Sequence, residues 1–354
     1  MGPAKLSRRG VLASTGLICA APALAQGFGV RLLSLPTRLY KTPDAGHERT
    51  ESWVFWVFVE SDAPRGLKAT GLQVELSAAG QPIRSMRYGP RGVAALTITP
   101  PLRPRRLDGS AAPTPVYWPQ AVRVRCTEPL AAAVDALSVE LDLSEGKQTI
   151  RCRVAMPVET YRQRTALIYP FQGRGVVTQA GVTNGGHRNR SGQFALDVVG
   201  LDDSYGVNLP GQGRHSADYH GWGRPILAPA DGVVVSARSD RPDQPDPEVS
   251  DPRFYAPEHP DGGDPGNHLV IDHGQAEFSM LAHFQAGSML VKAGDRVRQG
   301  QPIGKLGSSG DTNTPHLHYQ LQSGPDWEWA DGLPCRFSNV TEAMLVRGSF
   351  FNAA

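Results

Sequence analysis

The segment Gly310-Asp311-Thr312-Asn313-Thr314-Pro315-His316-Leu317-His318-Tyr319-Gln320 sets two imidazoles two residues apart. On an extended strand, positions i and i+2 project to one face. His316 and His318 can therefore address one metal ion or one substrate while Leu317 turns into a core. Upstream, Phe278-Ser279-Met280-Leu281-Ala282-His283 carries a third histidine to the end of an apolar strand, and Phe194-Ala195-Leu196-Asp197-Val198-Val199 sets an acid inside another. A carboxylate among Phe, Leu and Val is costly unless it is paired or binds a cation, so Asp197 is a ligand candidate.

The same half of the chain contains Gly223-Arg224-Pro225-Ile226-Leu227-Ala228-Pro229-Ala230-Asp231-Gly232-Val233-Val234, then Gly266-Asn267-His268-Leu269-Val270-Ile271-Asp272-His273-Gly274, then Val291-Lys292-Ala293-Gly294-Asp295-Arg296-Val297-Arg298-Gln299-Gly300-Gln301-Pro302-Ile303-Gly304. The first of these follows the pattern G-x-P-V-x-A-x-x-x-G-x-V. With Pro315-His316-Leu317-His318, and over roughly residues 165 to 340, this stretch resembles the lysostaphin-type or LytM-like zinc metallopeptidases, which cut the peptides of peptidoglycan. The resemblance implies one zinc per chain, held by Asp197 and His318, with His316 and His283 acting on the attacking water and the developing oxyanion. A zinc with three protein ligands lowers the pKa of a water in its fourth position towards about 7, one imidazole can take the proton, and a second can hydrogen-bond the oxyanion.

One position departs from the family pattern, which writes H-x-x-x-D for its first ligand pair. Four residues before Asp197 stands Gln193, a neutral amide and a poor zinc ligand. In a straight strand four residues span about 13 Å, so Gln193 could share a metal with Asp197 only if the chain bent sharply. Phe194-Ala195-Leu196 contains no glycine to permit that. The preceding loop, Asn184-Gly185-Gly186-His187-Arg188-Asn189-Arg190-Ser191-Gly192, is glycine-rich and could fold His187 back onto the metal. His187 is thus the expected third ligand, and loss of zinc binding is the alternative.

The elements that must position these residues are strands. With 39 Gly and 30 Pro in 354 residues, about a fifth of the chain bends or stiffens the backbone, which disfavours a helix bundle. Leu72, Val74 and Leu76 alternate with polar residues, as do Leu137, Val139, Leu141 and Leu143, and Ser144-Glu145-Gly146-Lys147 turns the chain into Ile150, Cys152 and Val154. Trp53 to Val59 reads as a strand buried on both faces. The expected fold is all-β: an immunoglobulin-like β-sandwich over 28–160, then an antiparallel LytM-like peptidase domain over 163–345. The Pro/Asp-rich insertion 238–266 reads as a solvated flap. Cys126 and Cys152 point into the first core, either as a disulfide or as buried thiols.

Residues 1–25 have the pattern of a signal peptide: Ser7-Arg8-Arg9 before an apolar run resembles a twin-arginine signal, and Ala23-Leu24-Ala25 a cleavage site. The run is too short for a membrane anchor, so the expected location is the periplasm or the outside of the cell. Removing Lys5, Arg8 and Arg9 leaves 33 basic against 34 acidic residues, a balance that offers no grip on nucleic acid. His215, His220, His268 and His273 read first as surface or local hydrogen-bonding residues, and Trp222, Trp327 and Trp329 as packing. A lipoyl or biotinyl carrier reading of Val291–Gly304 fails because no modifiable Lys follows on the turn.

The function expected is therefore a secreted zinc endopeptidase acting on peptidoglycan peptides, with a cell-envelope protein as a possible partner. The alternative is a degenerate LytM-like module that binds cell wall or activates another hydrolase.

Overall fold

The computed structural model describes residues 29–41, 43–44, 47–61, 66–98, 117–129, 133–181, 187, 190–257, 263–328, 330–341 and 344–354. The signal-peptide expectation, Cys19, His259 and Trp329 lie outside these residues. The described chain is almost entirely antiparallel β-structure, as expected. Two five-stranded sheets lie in its first part. One contains Val30–Leu35, His47–Ser61, Tyr117–Pro129 and two short strands. The other is ordered Leu39–Tyr40, Gln148–Glu159, Ala136–Glu145, Lys68–Ala78, Gln81–Tyr88.

Alternation fills the space between these sheets. Trp53, Phe55, Val57 and Val59 from the first sheet meet Leu72, Val74, Leu137, Val139 and Leu141 from the second in one cluster. On its other face the strand His47–Ser61 buries Trp56 against Ala121, so burial on both faces holds. The hairpin at Gly146 forms with Gln148 opposite Glu145. Cys126 and Cys152 face this core from different sheets, and both are buried free thiols, as is Cys335.

The second part of the chain builds a nine-stranded sheet. In it, the strand Leu317–Gln322 is flanked by Leu196–Gly200 on one side and Phe278–Ala282 on the other. Leu317, Tyr319 and Leu321 enter the core with Leu196, Val198, Leu281 and Ile271, while His318, Gln320 and Gln322 line the opposite face. Tyr169, Phe171, Phe337 and Phe351 close the core edge to face, with ring centroids 4.8 to 5.1 Å from Tyr169.

Glu277 fastens the entrance to this sheet. It is buried at 1% exposure, and its carboxylate accepts hydrogen bonds from Tyr161 Oη and from the backbone N–H groups of Arg164 (2.8 Å) and Thr165 (2.7 Å). Burial alone would raise its pKa, but the bonds from Thr165, Tyr161 and Arg164 outweigh burial and hold the carboxyl below its usual value. A carboxyl depressed in the fold adds stability above its unfolded pKa of about 4.3 and loses it as pH falls through the folded value. Glu277→Gln is expected to cost about 2 kcal/mol at pH 7. In urea unfolding the gap from wild type should narrow as pH falls from about 4 through the depressed folded value, below which both side chains are neutral; a gap independent of pH would remove the charge from the explanation.

Candidate metal centre

Antiparallel pairing does what linear spacing could not. Asp197 lies directly opposite His318 on one side of the central strand and Ala282 lies opposite it on the other. His283 follows Ala282 as the chain leaves its strand, at φ +64, a left-handed conformation unusual for a non-glycine residue. His283 N–H donates to Pro265 O, and His283 O accepts from Gly307 N–H, so the surrounding backbone holds this turn.

Three donors converge. His318 Nδ1 is 2.9 Å from Asp197 Oδ1, and His187 Nε2 is 3.2 Å from the same oxygen. The ligand atoms of His187, Asp197 and His318 all lie within 4.8 Å of one another. His316 Nε2 is 3.6 Å from Asp197 Oδ1, and the His283 ring centroid is 4.7 Å from that of His316. The structure thus brings together all five residues that the sequence singled out.

Hydrogen-bond partners assign the tautomers. Gln320 Nε2 donates to Gln322 Oε1 and Trp327 O, so Gln320 Oε1 faces His318 Nε2 at 3.0 Å as an acceptor. His318 therefore carries its proton on Nε2 and turns the Nδ1 lone pair towards Asp197. A lone pair and a carboxylate oxygen this close repel unless a cation or a proton lies between them. Together with His187 Nε2, which is buried without a hydrogen-bond partner, this donor set of two nitrogens and one oxygen suits zinc. Gln320 and Gln322 were not singled out from sequence. Their signal was the polar repeat His318, Gln320, Gln322 in an otherwise apolar strand.

His316 Nδ1–H donates to Thr314 O at 2.7 Å and lies 3.0 Å from Thr312 Oγ1, whose own proton goes to Thr314 O. His283 Nδ1–H donates to Ser309 O at 2.7 Å. Both neutral rings therefore present an Nε2 lone pair. Burial, reinforced by His316 and His318, pushes His283 down to about 3. Burial also lowers His318, whereas the Asp197 carboxylate overcomes burial and raises His316. Asp197 is held well below the usual carboxylate range because His187 and His316 outweigh its burial.

Two expectations need correction. The chain does bend at Gln193: Ser191–Phe194 is a short 3-10 turn, and the strand that carries Asp197 begins only at Leu196. The glycines that permit the turn are on neighbouring segments. A Cβ on Gly332 would lie 2.5 Å from Ser191 O, and one on Gly181 2.6 Å from Gln193 O. Gln193 Oε1 is buried without a hydrogen-bond partner.

The insertion, secondly, is pinned by hydrogen bonds at part of its described length, although Asp240, Pro242, Asp246 and Glu248 remain exposed to solvent. Gln244 is 2% exposed and donates to Gly310 O, Asp243 accepts from Ser308 N–H and Ala286 N–H, and Tyr255 Oη donates to Asp311. Asp243, Gln244 and Asp264 bond protein groups in place of water, which composition alone does not reveal. They brace the loop whose Ser309 O orients His283. Of the remaining histidines, His273 bonds Ser279 Oγ nearby and also Asp231 O on a sequence-distant segment, His215 is exposed, and His220 is 3.4 Å from Asp202. His268 is buried, with its ring 6.0 Å from that of Trp327, which packs on Val270, Met280 and Ala282.

A strand-borne His-x-His, a third histidine at a strand end and a buried acid in register agree with what a comparison of sequences finds. Residues 215–328 match peptidase family M23. His283, His316 and His318 fall inside the M23 match, while His187 and Asp197 precede it. The chain is 34% identical over 99 residues to the peptidoglycan DD-endopeptidase ShyA of Vibrio cholerae, covering 28% of this chain and 17% of that protein. It is 39% identical over 54 residues to the murein hydrolase activator EnvC of Escherichia coli, covering 15% of this chain and 12% of that protein. The chain thus spans less than a fifth of either relative. Among solved structures it is similar to the catalytic domain of lysostaphin from Staphylococcus simulans, at 19% identity over 46% of this chain and 88% of that one, with a TM-score of 0.26. Among the described residues no helix is long and apolar enough to cross a membrane.

Proposed function

We propose that the chain is an exported zinc metalloendopeptidase that hydrolyses peptide bonds of peptidoglycan. The observation that carries this reading is the convergence of His187, Asp197 and His318 on one point beside two further histidines whose Nδ1–H groups are committed to backbone carbonyls. His187, Asp197 and His318 would hold the zinc, which when bound supplies Lewis acidity and a water acidic enough to attack near neutral pH.

The chain's own groups divide the proton work. His316, the more basic of the two, takes the proton of the attacking water at Nε2, and Thr314 O steadies the ring through Nδ1–H. The Nε2–H so formed can donate to the tetrahedral oxyanion or to the leaving amine. His283, kept neutral by burial, accepts a hydrogen bond at Nε2 and orients the water. The reading includes a signal peptide over 1–25, of twin-arginine type, periplasmic or extracellular location, and domains over 28–160 and 163–345. The two main hydrophobic clusters support this division, with Tyr40 of the first part packed into the second cluster.

A second reading, a non-cutting activator module, is favoured by Gln193 standing where the family pattern has histidine and by similarity to EnvC. Zinc-loaded protein without residues 1–25, incubated with cross-linked muropeptides, should release fragments that have together gained one water, and EDTA should abolish the release. Intact muropeptides with the zinc-loaded protein, alongside stimulation of a second hydrolase, would replace the endopeptidase by the activator.

A further inference from the structure

Asp331 joins three segments distant in sequence. Its Oδ1 accepts from Arg190 Nε at 2.6 Å and from Thr37 Oγ1 at 3.3 Å, and its Oδ2 lies 3.7 Å from Arg38 Nε. Arg190 Nη2 also donates to Thr37 Oγ1 at 3.2 Å, so the contacts close on themselves. The acid is 7% exposed, a depth at which a carboxylate depends on its partners. Thr37 and Arg38 belong to the turn between Val30–Leu35 and Leu39–Tyr40, strands of the two N-terminal sheets. Beside this turn, the Tyr40 ring centroid lies 6.1 Å from that of Phe194.

Arg190 follows His187 by three residues, which at full stretch span about 10 Å. Anchoring Arg190 therefore bounds where the His187 imidazole can go. The backbone repeats the anchor, because Gly332 N–H donates to Arg190 O at 3.2 Å. By contrast Asp197 and His318 sit in paired strands and need no such help. Of the three converging donors, only His187 lies outside the sheet.

We infer that Asp331 and Arg190, braced by Thr37 and Arg38 of the N-terminal sheets, form a clamp that positions His187 at the metal centre. The N-terminal part of the chain thereby sets how tightly the centre holds its ion. Arg190 and Asp331 act through His187 and are positioning residues. The inference rests on the zinc reading for its metal readout, and all its polar members lie outside the M23 match.

The test uses the full chain without residues 1–25, with zinc affinity read by competition with a chromophoric chelator and stability read as the unfolding midpoint of the metal-free protein. Asp331→Asn and Arg190→Gln should weaken zinc binding about 10- to 100-fold, the range typical of partners behind a metal ligand. Thr37→Val should move it in the same direction with the metal-free midpoint unchanged, a pattern that a purely structural role would not give. Amide exchange at 190–194 should quicken in each variant while that of Leu317–Gln322 holds. Affinities within twofold of wild type in folded variants would overturn the clamp. Should Asp331→Asn fail to fold, Thr37→Val and Arg38→Gln, at partly exposed positions, decide by the same measure. A wild type that takes up no zinc would remove the peptidase reading by itself, and the clamp would then stand or fall on exchange at 190–194.

Discussion

His187→Ala is expected to lower the zinc affinity of the purified protein by about 100-fold or more, while Gln193→Ala leaves it within about threefold. The expectation follows from donor chemistry and position. His187 Nε2 stands 3.2 Å from Asp197 Oδ1 and within 4.8 Å of the His318 donor, and an imidazole nitrogen is a good zinc ligand where an amide oxygen is a poor one. Removing one of three protein ligands leaves two, too few to hold the ion against a chelator. Elemental analysis after dialysis should give about one zinc per wild-type chain, one for Gln193→Ala and none for His187→Ala. The reverse pattern would move the third ligand to Gln193, whose buried Oε1 has no hydrogen-bond partner. No zinc in any of the three would shift the function to the activator module.

His316→Ala should lower kcat on cross-linked muropeptides about 1,000-fold while zinc content stays at wild-type level, because general-base catalysis contributes about 100- to 10,000-fold and the ring is no ligand in this reading. Its Nε2 is 3.6 Å from Asp197 Oδ1, and its Nδ1–H is committed to Thr314 O, so the ring has one atom free for proton transfer. The histidines should act as a unit: His283→Ala added to His316→Ala should cost much less than the product of the two single losses. A variant that loses zinc together with activity would place His316 among the ligands. A variant that keeps both would pass the base role to His283.

Much of the site was legible because its chemistry has short-range signatures. His316 and His318 share a face through strand alternation, His283 ends a strand, and Asp197 is conspicuous as a carboxylate in an apolar run. The strands around Val74, Val139 and Phe55 were legible for the same reason, since a period of two records which face is buried. The bend at Gln193 was not, because the glycines that make room for it, Gly181 and Gly332, are contributed by other segments. Nor was the packing of the 238–266 insertion, whose Asp243 and Gln244 bond partners more than forty residues away.

By itself the sequence determined the all-β class and nominated the histidines and the acid, because residue type and local period suffice for that. Tertiary structure alone decided that Asp197 stands opposite His318, that Gln320 orients the His318 ring, and that Asp331 ties Arg190 to Thr37. The physical reason is range. Which face a side chain takes is set by its neighbours along the strand, whereas which strand lies beside it, and in what register, is settled only when sheets close over a shared core.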